Sequence, residues 1–313
     1  MSEPPVLSVI LATDAFSTIE PVVRRLRAQS VAGKLELVIV TPHPDALRQE
    51  AADLAELVVV VVGVDGLVPL AAARAAGVRA ANAPVVFVGE THTYPEEGWA
   101  KALIDAHAGD WAAVVPGFGN ANPSGALSWA GFLTDYGSWL GSLEAREVSR
   151  VPAYNTAYKR AELLEFGGRL DLLLSTSDEL IVELRAAGRR FVFQPSARID
   201  HVNVSQPRAW LLERYLGGLL TANSRMDRWS WGRRLLYAAG SPLIPAVVLA
   251  RVARGVAAAR RAHGLPLAVY PALLLGAVLS AIGELVAYVG GPVAWAERRM
   301  TEYELHRLRY LRA

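Results

Sequence analysis

The sequence predicts an α/β fold, a mostly parallel sheet flanked by helices, followed by an α-helical and apolar C-terminal tail. Three observations carry this reading. Short β-branched runs at 7–12, 35–41, 57–62 and 85–88 alternate with helix-forming segments at 18–30, 45–55 and 67–81. These runs lack the polar alternation of a half-exposed strand, so they are buried on both faces and pair in parallel through crossover helices. After about residue 205 the alternation stops and long uncharged stretches take over.

Taken in order, run 7–12 opens the sheet, and Thr13 and Asp14 follow its carboxyl end, where open α/β sheets bind ligands. Asp14 suits the nucleotide side of such a site, or the cap of a helix beginning near Ser17. Asp45 and Asp65 stand at the starts of the next two helices, where a carboxylate complements exposed amides. A further strand at 112–116 precedes a Gly/Asn/Pro-rich loop at 117–125. Trp129, Phe132, Tyr136 and Trp139 recur at three- or four-residue spacing and share one helical face, as a core stripe or a sugar platform. Asp178 and Glu179 open a helix over 178–187, and one of the two is expected to cap it.

The chemistry concentrates at Glu90-Thr91-His92, directly after the apolar run Val85-Val86-Phe87-Val88. A carboxylate and an imidazole two residues apart, beyond a buried strand, can both turn toward a divalent cation and its phosphates.

This setting resembles the family-2 glycosyltransferases, which have the GT-A fold. The likeness starts at Leu7-Ser8-Val9-Ile10-Leu11-Ala12-Thr13 and continues at Ala71-Ala72-Ala73-Arg74-Ala75-Ala76-Gly77, where the family has a nucleotide-side helix ending in glycine. Glu90-Thr91-His92, with Pro95 and Gly98-Trp99, is similar to a subgroup that reads E-D-H in place of D-x-D. Pro152-Ala153-Tyr154-Asn155-Thr156-Ala157-Tyr158-Lys159-Arg160 is similar to the family's acceptor-side segment. Asp178-Glu179, Gly188, Pro195 and His201 follow its acidic helix, glycine, proline and closing histidine. The resemblance implies donor contacts from Thr13, Asp14, Arg74 and Glu90, acceptor contacts from Tyr154 and Asn155, and a metal site of Glu90, His92 and His201. It also implies a catalytic base from Asp178 or Glu179, between which the sequence does not choose. The chain departs from the family where Val40-Thr41-Pro42-His43-Pro44 replaces paired aspartates, where Thr91 replaces the middle Asp, and where Ser177 replaces an acidic residue.

Composition sets the outer bounds. A chain of 313 residues is long enough for a domain of about 200 residues plus an appendage, and the resemblance implies a catalytic domain at 1–205 and a helical, membrane-associated tail at 206–313. A net charge of +2 gives no case for nucleic acid, and without cysteine there is no disulfide, thiolate metal site or cysteine nucleophile. A hydrophobic content of 52% and a mean hydropathy of +0.25 are high for a fully soluble enzyme. No signal peptide is visible at the N-terminus, so the catalytic half is expected in the cytoplasm. In the tail, 235–250 carries no charge, and 265–296 carries only Glu284. Arginines flank both stretches: Arg225, Arg228, Arg233 and Arg234 before the first, Arg251, Arg254, Arg260 and Arg261 between them, and Arg298 and Arg299 after the second. With positive flanks everywhere, re-entrant or in-plane helices on the cytoplasmic face of the cell membrane fit better than a span.

The expectation is therefore a glycosyltransferase that moves a sugar from a nucleotide-diphosphate-sugar to a hydroxyl of a lipid-linked or glycan acceptor. It would be inverting and assisted by a divalent cation, Mn²⁺ or Mg²⁺. The alternative is a catalytically degenerate relative serving as a membrane scaffold or binding protein.

Overall fold

The computed structural model describes residues 3–54, 56–141, 143–175, 178–226 and 229–312, and Ser177 and Arg228 lie outside these. The chain divides into two compact units, residues 1–119 with 143–200 and residues 120–142 with 201–313.

The first unit begins β1 (Leu7–Ala12), α1 (Phe16–Arg27), β2 (Leu35–Thr41), α2 (Pro44–Glu50), β3 (Val58–Gly63) and α3 (Leu70–Ala80). It continues with β4 (Val85–Val88), β5 (Thr93–Pro95), α4 (Trp99–His107) and β6 (Ala113–Asn120). After α5 (Ala126–Tyr136) come β7 (Arg146–Val148), β8 (Thr156–Lys159), α6 (Arg160–Leu164), α7 (Leu170–Leu173), α8 (Glu179–Ala186) and β9 (Phe191–His201). The strands lie in the order β3-β2-β1-β4-β8-β6-β9-β5, with β7 on β9. From β3 to β4 the sheet is parallel, with Leu7 opposite both Leu35 and Val85. Beyond β4 it turns antiparallel, β8 running against both β4 and β6. The fold is α/β as expected, on a mixed sheet.

Local chemistry explains the element boundaries. Every residue of β1, β2 and β4 is buried. Glu36 in β2 tolerates this because Ser8 Oγ donates to it at 2.5 Å and Asn82 donates through its backbone N at 2.8 Å and Nδ2 at 2.6 Å. That cluster also fixes where β4 begins. A Cβ at Gly77 would run into Ile10 Cγ2 and lie 2.9 Å from Val40 Cγ2, so glycine lets α3 sit flush on β1 and β2.

Some boundaries differ from expectation. α3 starts only at Leu70, after Pro69, and Asp65 stands outside it. The strand expected over 112–116 runs on to Asn120, which shortens the predicted loop. Asp14 does not cap α1, whose N-cap is Ala15 without a side-chain bond; Thr13 Oγ1 instead donates to Ala15 O at 2.8 Å.

The second unit is helical: α5, α9 (Pro207–Met226), α10 (Trp231–Gly240), α11 (Ile244–His263), α12 (Val269–Gly290), α13 (Ala294–Leu305) and a 3₁₀ turn at Arg307–Tyr310. α12 lies along α9 at a glycine crossing. A Cβ on Gly218 would overlap the Ser280 carbonyl, and one on Gly283 would overlap Tyr215 O. Glu284, buried on α12, accepts from Arg225 Nη1 and from Tyr288 Oη, each at 3.0 Å. By length and composition Trp231–His263 and Val269–Gly290 could each cross a membrane, and half of the most apolar window of the second is buried.

Candidate active site

Glu90 and His92 lie just past β4, and the structure buries both. The solvated strand-end turn that such a triplet often forms is absent here. A ring of groups holds the Glu90 carboxylate. Asn155 Nδ2 donates to Oε2, Thr93 Oγ1 lies 3.4 Å from the same oxygen, and His92 Nε2 is 3.4 Å from it. Arg74 Nη2 stands 4.0 Å from Oε1. Asn155 adopts φ +53, a left-handed conformation that Asn tolerates better than most residues, while its backbone N donates to Val88 O at 2.6 Å. The residue before β8 therefore both extends the pairing with β4 and reaches back to Glu90.

Arg74 joins groups that the sequence assigned to opposite sides of the site. Its guanidinium sits 4.2 Å above the Tyr154 ring, and Nη1 donates to Leu174 O at 3.3 Å. Thr13 is fully buried at the end of β1, and Asp14 beside it is half-buried. Beneath the site, Trp99 packs edge-on against Phe87 of β4 with ring centroids 4.9 Å apart.

Asp178 occupies the N-cap position of α8 without capping it. Its carboxylate pairs with Arg150 instead. Glu179 lies in the first turn, half-buried. Asp178 thus does not make the side-chain cap expected of one of the pair.

His201 is the last residue of β9 and is 2% exposed. Its Nδ1 lies 2.9 Å from Asn203 Oδ1. The Asn203 amide nitrogen donates to Asn120 Oδ1 at 2.9 Å and His201 O at 3.1 Å, which fixes Oδ1 as the acceptor. Nδ1 therefore carries the proton, and the ring lone pair lies on Nε2. Burial, with the positive charge of Arg307, pushes the imidazole down to about 4, so it stays neutral near pH 7. Tyr136, from the expected aromatic stripe, rests 4.6 Å from the ring, while Trp129 and Phe132 lie in the core.

Just after His201, the C-terminal segment ties down the chain. Ser205 N and Gln206 N both donate to Tyr310 O, and Arg312 N donates to Ser205 Oγ at 2.9 Å. Arg307 Nη1 donates to buried Glu213 at 2.5 Å and Nη2 to Glu304 at 2.7 Å. Arg214 grips Asp135 with two bonds of 2.9 Å. Sequence reasoning missed Asn203, Glu213 and Arg307. The two-residue step from His201 to Asn203 in extended chain was the available signal for the first. The other two depend on contacts across about 90 residues, which no local pattern encodes.

Glu90, His92 and His201 each offer one donor atom, and these atoms lie within 4.8 Å of one another, all on buried residues. One carboxylate and two imidazoles can hold a divalent cation.

No sequence-family model matches the chain, and no curated protein matches it. Solved structures do. A mannosyltransferase from Pyrobaculum calidifontis, in complex with GDP-Man and Mn²⁺, aligns with 91% of this chain and 88% of its own at 19% identity and a TM-score of 0.55. GalNAc-T7, with UDP, GalNAc and Mn²⁺, aligns over 63% of this chain and 43% of its own at 15% identity and a TM-score of 0.48. TarS residues 1–349 from S. aureus align over 91% and 92% at 14% identity and a TM-score of 0.45. The likeness to the mannosyltransferase shows a shared α/β fold, a mixed sheet flanked by helices.

Proposed function

We propose that the chain is a glycosyltransferase of the family-2 kind, its catalytic part within 1–205 and its membrane-associated part within 206–313. It would transfer a sugar from a nucleotide-diphosphate-sugar to a hydroxyl of a lipid-linked or glycan acceptor. The observation that carries this reading is the buried Glu90, His92 and His201 group, found on a fold shared with a mannosyltransferase that binds GDP-Man and Mn²⁺. Two nitrogen donors favour Mn²⁺ over Mg²⁺, which prefers oxygen. When bound, the cation supplies positive charge to the leaving diphosphate.

The chain's own groups do the rest. Arg74 is held by Tyr154 and Leu174 O beside Glu90, and adds fixed positive charge on the donor side. Thr13 and Asp14 border the nucleotide, and Tyr154 with Asn155 borders the acceptor. Glu179, half-buried in the first turn of α8, is the general base. It removes the acceptor hydroxyl proton as that oxygen attacks the anomeric carbon. The bond to the diphosphate breaks on the opposite face, which gives inversion without a covalent intermediate.

The tail holds the enzyme at the cytoplasmic face of the membrane without crossing it. Exposed Leu235, Leu236, Leu243 and Val247 supply apolar surface, and neighbouring arginines attract anionic head groups.

Calorimetric titration with GDP and UDP tests the central claim. Binding should need Mn²⁺, vanish in chelator, and fall at least about 100-fold in a Glu90→Ala, His92→Ala double variant that still unfolds cooperatively. Diphosphate binding that is indifferent to chelator and to both substitutions would remove the metal role. Metal-dependent binding without sugar transfer to any acceptor would favour the scaffold alternative.

A further inference from the structure

α11 and α12 form a helical hairpin, and between them lies an open groove of about 830 Å³. That volume falls in the range of small-molecule sites, roughly 300–1,000 Å³. Leu249, Val252 and Val256 line it from α11, and Leu273 and Leu274 line it from α12. At one end stand Arg260, Arg261 and Tyr270. Neither arginine has an acidic partner among the described residues, and both are exposed. The hairpin tip beside them carries Leu267, which is 83% exposed.

We infer that this groove binds one phosphate-headed lipid, its hydrocarbon chain lying between α11 and α12 and its phosphate meeting Arg260 and Arg261. Charge and shape complement each other here. The trough offers only apolar side chains along its length, so it excludes a sugar or a nucleotide. Two unneutralised guanidiniums at the mouth suit a phosphate, which Arg binds through paired hydrogen bonds. Basic residues in the last turn of α11 also complement the negative end of that helix. That role needs no groove, and it leaves both guanidiniums free to take an anion. The exposed Leu267 beside them places the mouth where a lipid head group lies when an apolar hairpin tip enters a membrane surface. This inference rests on membrane attachment and not on sugar transfer.

The test is calorimetry of the full chain with decyl phosphate below its micelle concentration, against decanol and inorganic phosphate. Decyl phosphate should bind, and each half-ligand should bind at least about tenfold more weakly. Arg260→Gln with Arg261→Gln should weaken decyl phosphate at least about tenfold, and Ala257→Trp, which fills the groove from an exposed helix position, should do the same. Inorganic phosphate binding as tightly as decyl phosphate would reduce the site to an anion patch. Full affinity in Ala257→Trp, or no binding by the parent, would overturn the proposal. GDP titration with Mn²⁺ on the same samples reads the active site separately, so failure of one reading is not mistaken for failure of the other.

Discussion

Replacing Asn203 by Leu tests how His201 is prepared for a metal. Asn203 is 2% exposed, and its side chain makes three bonds: Oδ1 to His201 Nδ1 at 2.9 Å, and Nδ2 to Asn120 Oδ1 at 2.9 Å and His201 O at 3.1 Å. Leucine is close in size and can make none of them. The buried His201 N–H loses this acceptor, which costs about 1–3 kcal/mol, whereas Asn120 Oδ1 still accepts from Asn122 N at 3.1 Å and Ser128 Oγ at 3.0 Å. Unfolding in urea should therefore show a loss of about 1–3 kcal/mol. Independently, losing the acceptor that orients a metal-binding imidazole weakens metal affinity by about 10–100-fold, or about 1.4–2.7 kcal/mol. Asn203→Asp separates the two effects. It keeps an acceptor opposite Nδ1 but faces Asn120 Oδ1 with oxygen, so it should lose stability while holding Mn²⁺ at parental affinity or better. Mn²⁺ binding is measured by calorimetry or electron paramagnetic resonance at a temperature where all three proteins are folded. Parental Mn²⁺ affinity in the folded Asn203→Leu variant would refute the tautomer argument.

The remaining predictions concern turnover and acid stability. Glu179→Gln should leave GDP binding intact and lower sugar transfer by about 10²–10⁴-fold, while Asp178→Asn transfers near the parental rate. The reverse pattern would move the base to Asp178. His107, on α4, is buried. Burial, aided by the charge of Lys159, pushes it down to about 4 from an ordinary 6.5. The unfolded chain therefore binds a proton that the folded chain refuses as pH falls from about 6.5 to 4, and roughly 3 kcal/mol of stability is lost across that window. His107→Leu should flatten this part of the pH profile of urea unfolding, and an unchanged profile would assign the acid loss elsewhere.

The parallel half of the sheet was legible because a strand buried on both faces must be an apolar run. β1, β2 and β4 accordingly start and stop where their runs do. β8 was not legible as a central strand. Its four residues, Thr156 to Lys159, mix polar and apolar types, and its place between β4 and β6 comes from long-range antiparallel pairing. The glycines and asparagines after Pro116 read as loop formers, whereas strand pairing carries β6 on to Asn120. At the site, Glu90, His92 and His201 were readable from motif order, and the structure brings their donor atoms together. The carboxylate's surroundings were less visible. Asn155 binds Glu90 only because a left-handed backbone turns it inward, and Arg74 meets Tyr154 across 80 residues. Asp178 looked like a helix cap because capping is a local rule, and a partner 28 residues away overrode it.

The glycine crossing of α9 and α12 bears on how this chain would reach a lipid surface. A helix that enters a bilayer alone must first be stable there alone, yet α12 carries Glu284, whose partner Arg225 sits on α9. At Gly218 and Gly283 the two backbones touch without side chains between them, so neither helix can be withdrawn without opening a slot along the other. On the proposed membrane attachment, the pair would be built before it meets lipid. Arrival at a membrane would be the docking of a finished body, reversible and sensitive to salt, and not the one-way threading of a nascent segment.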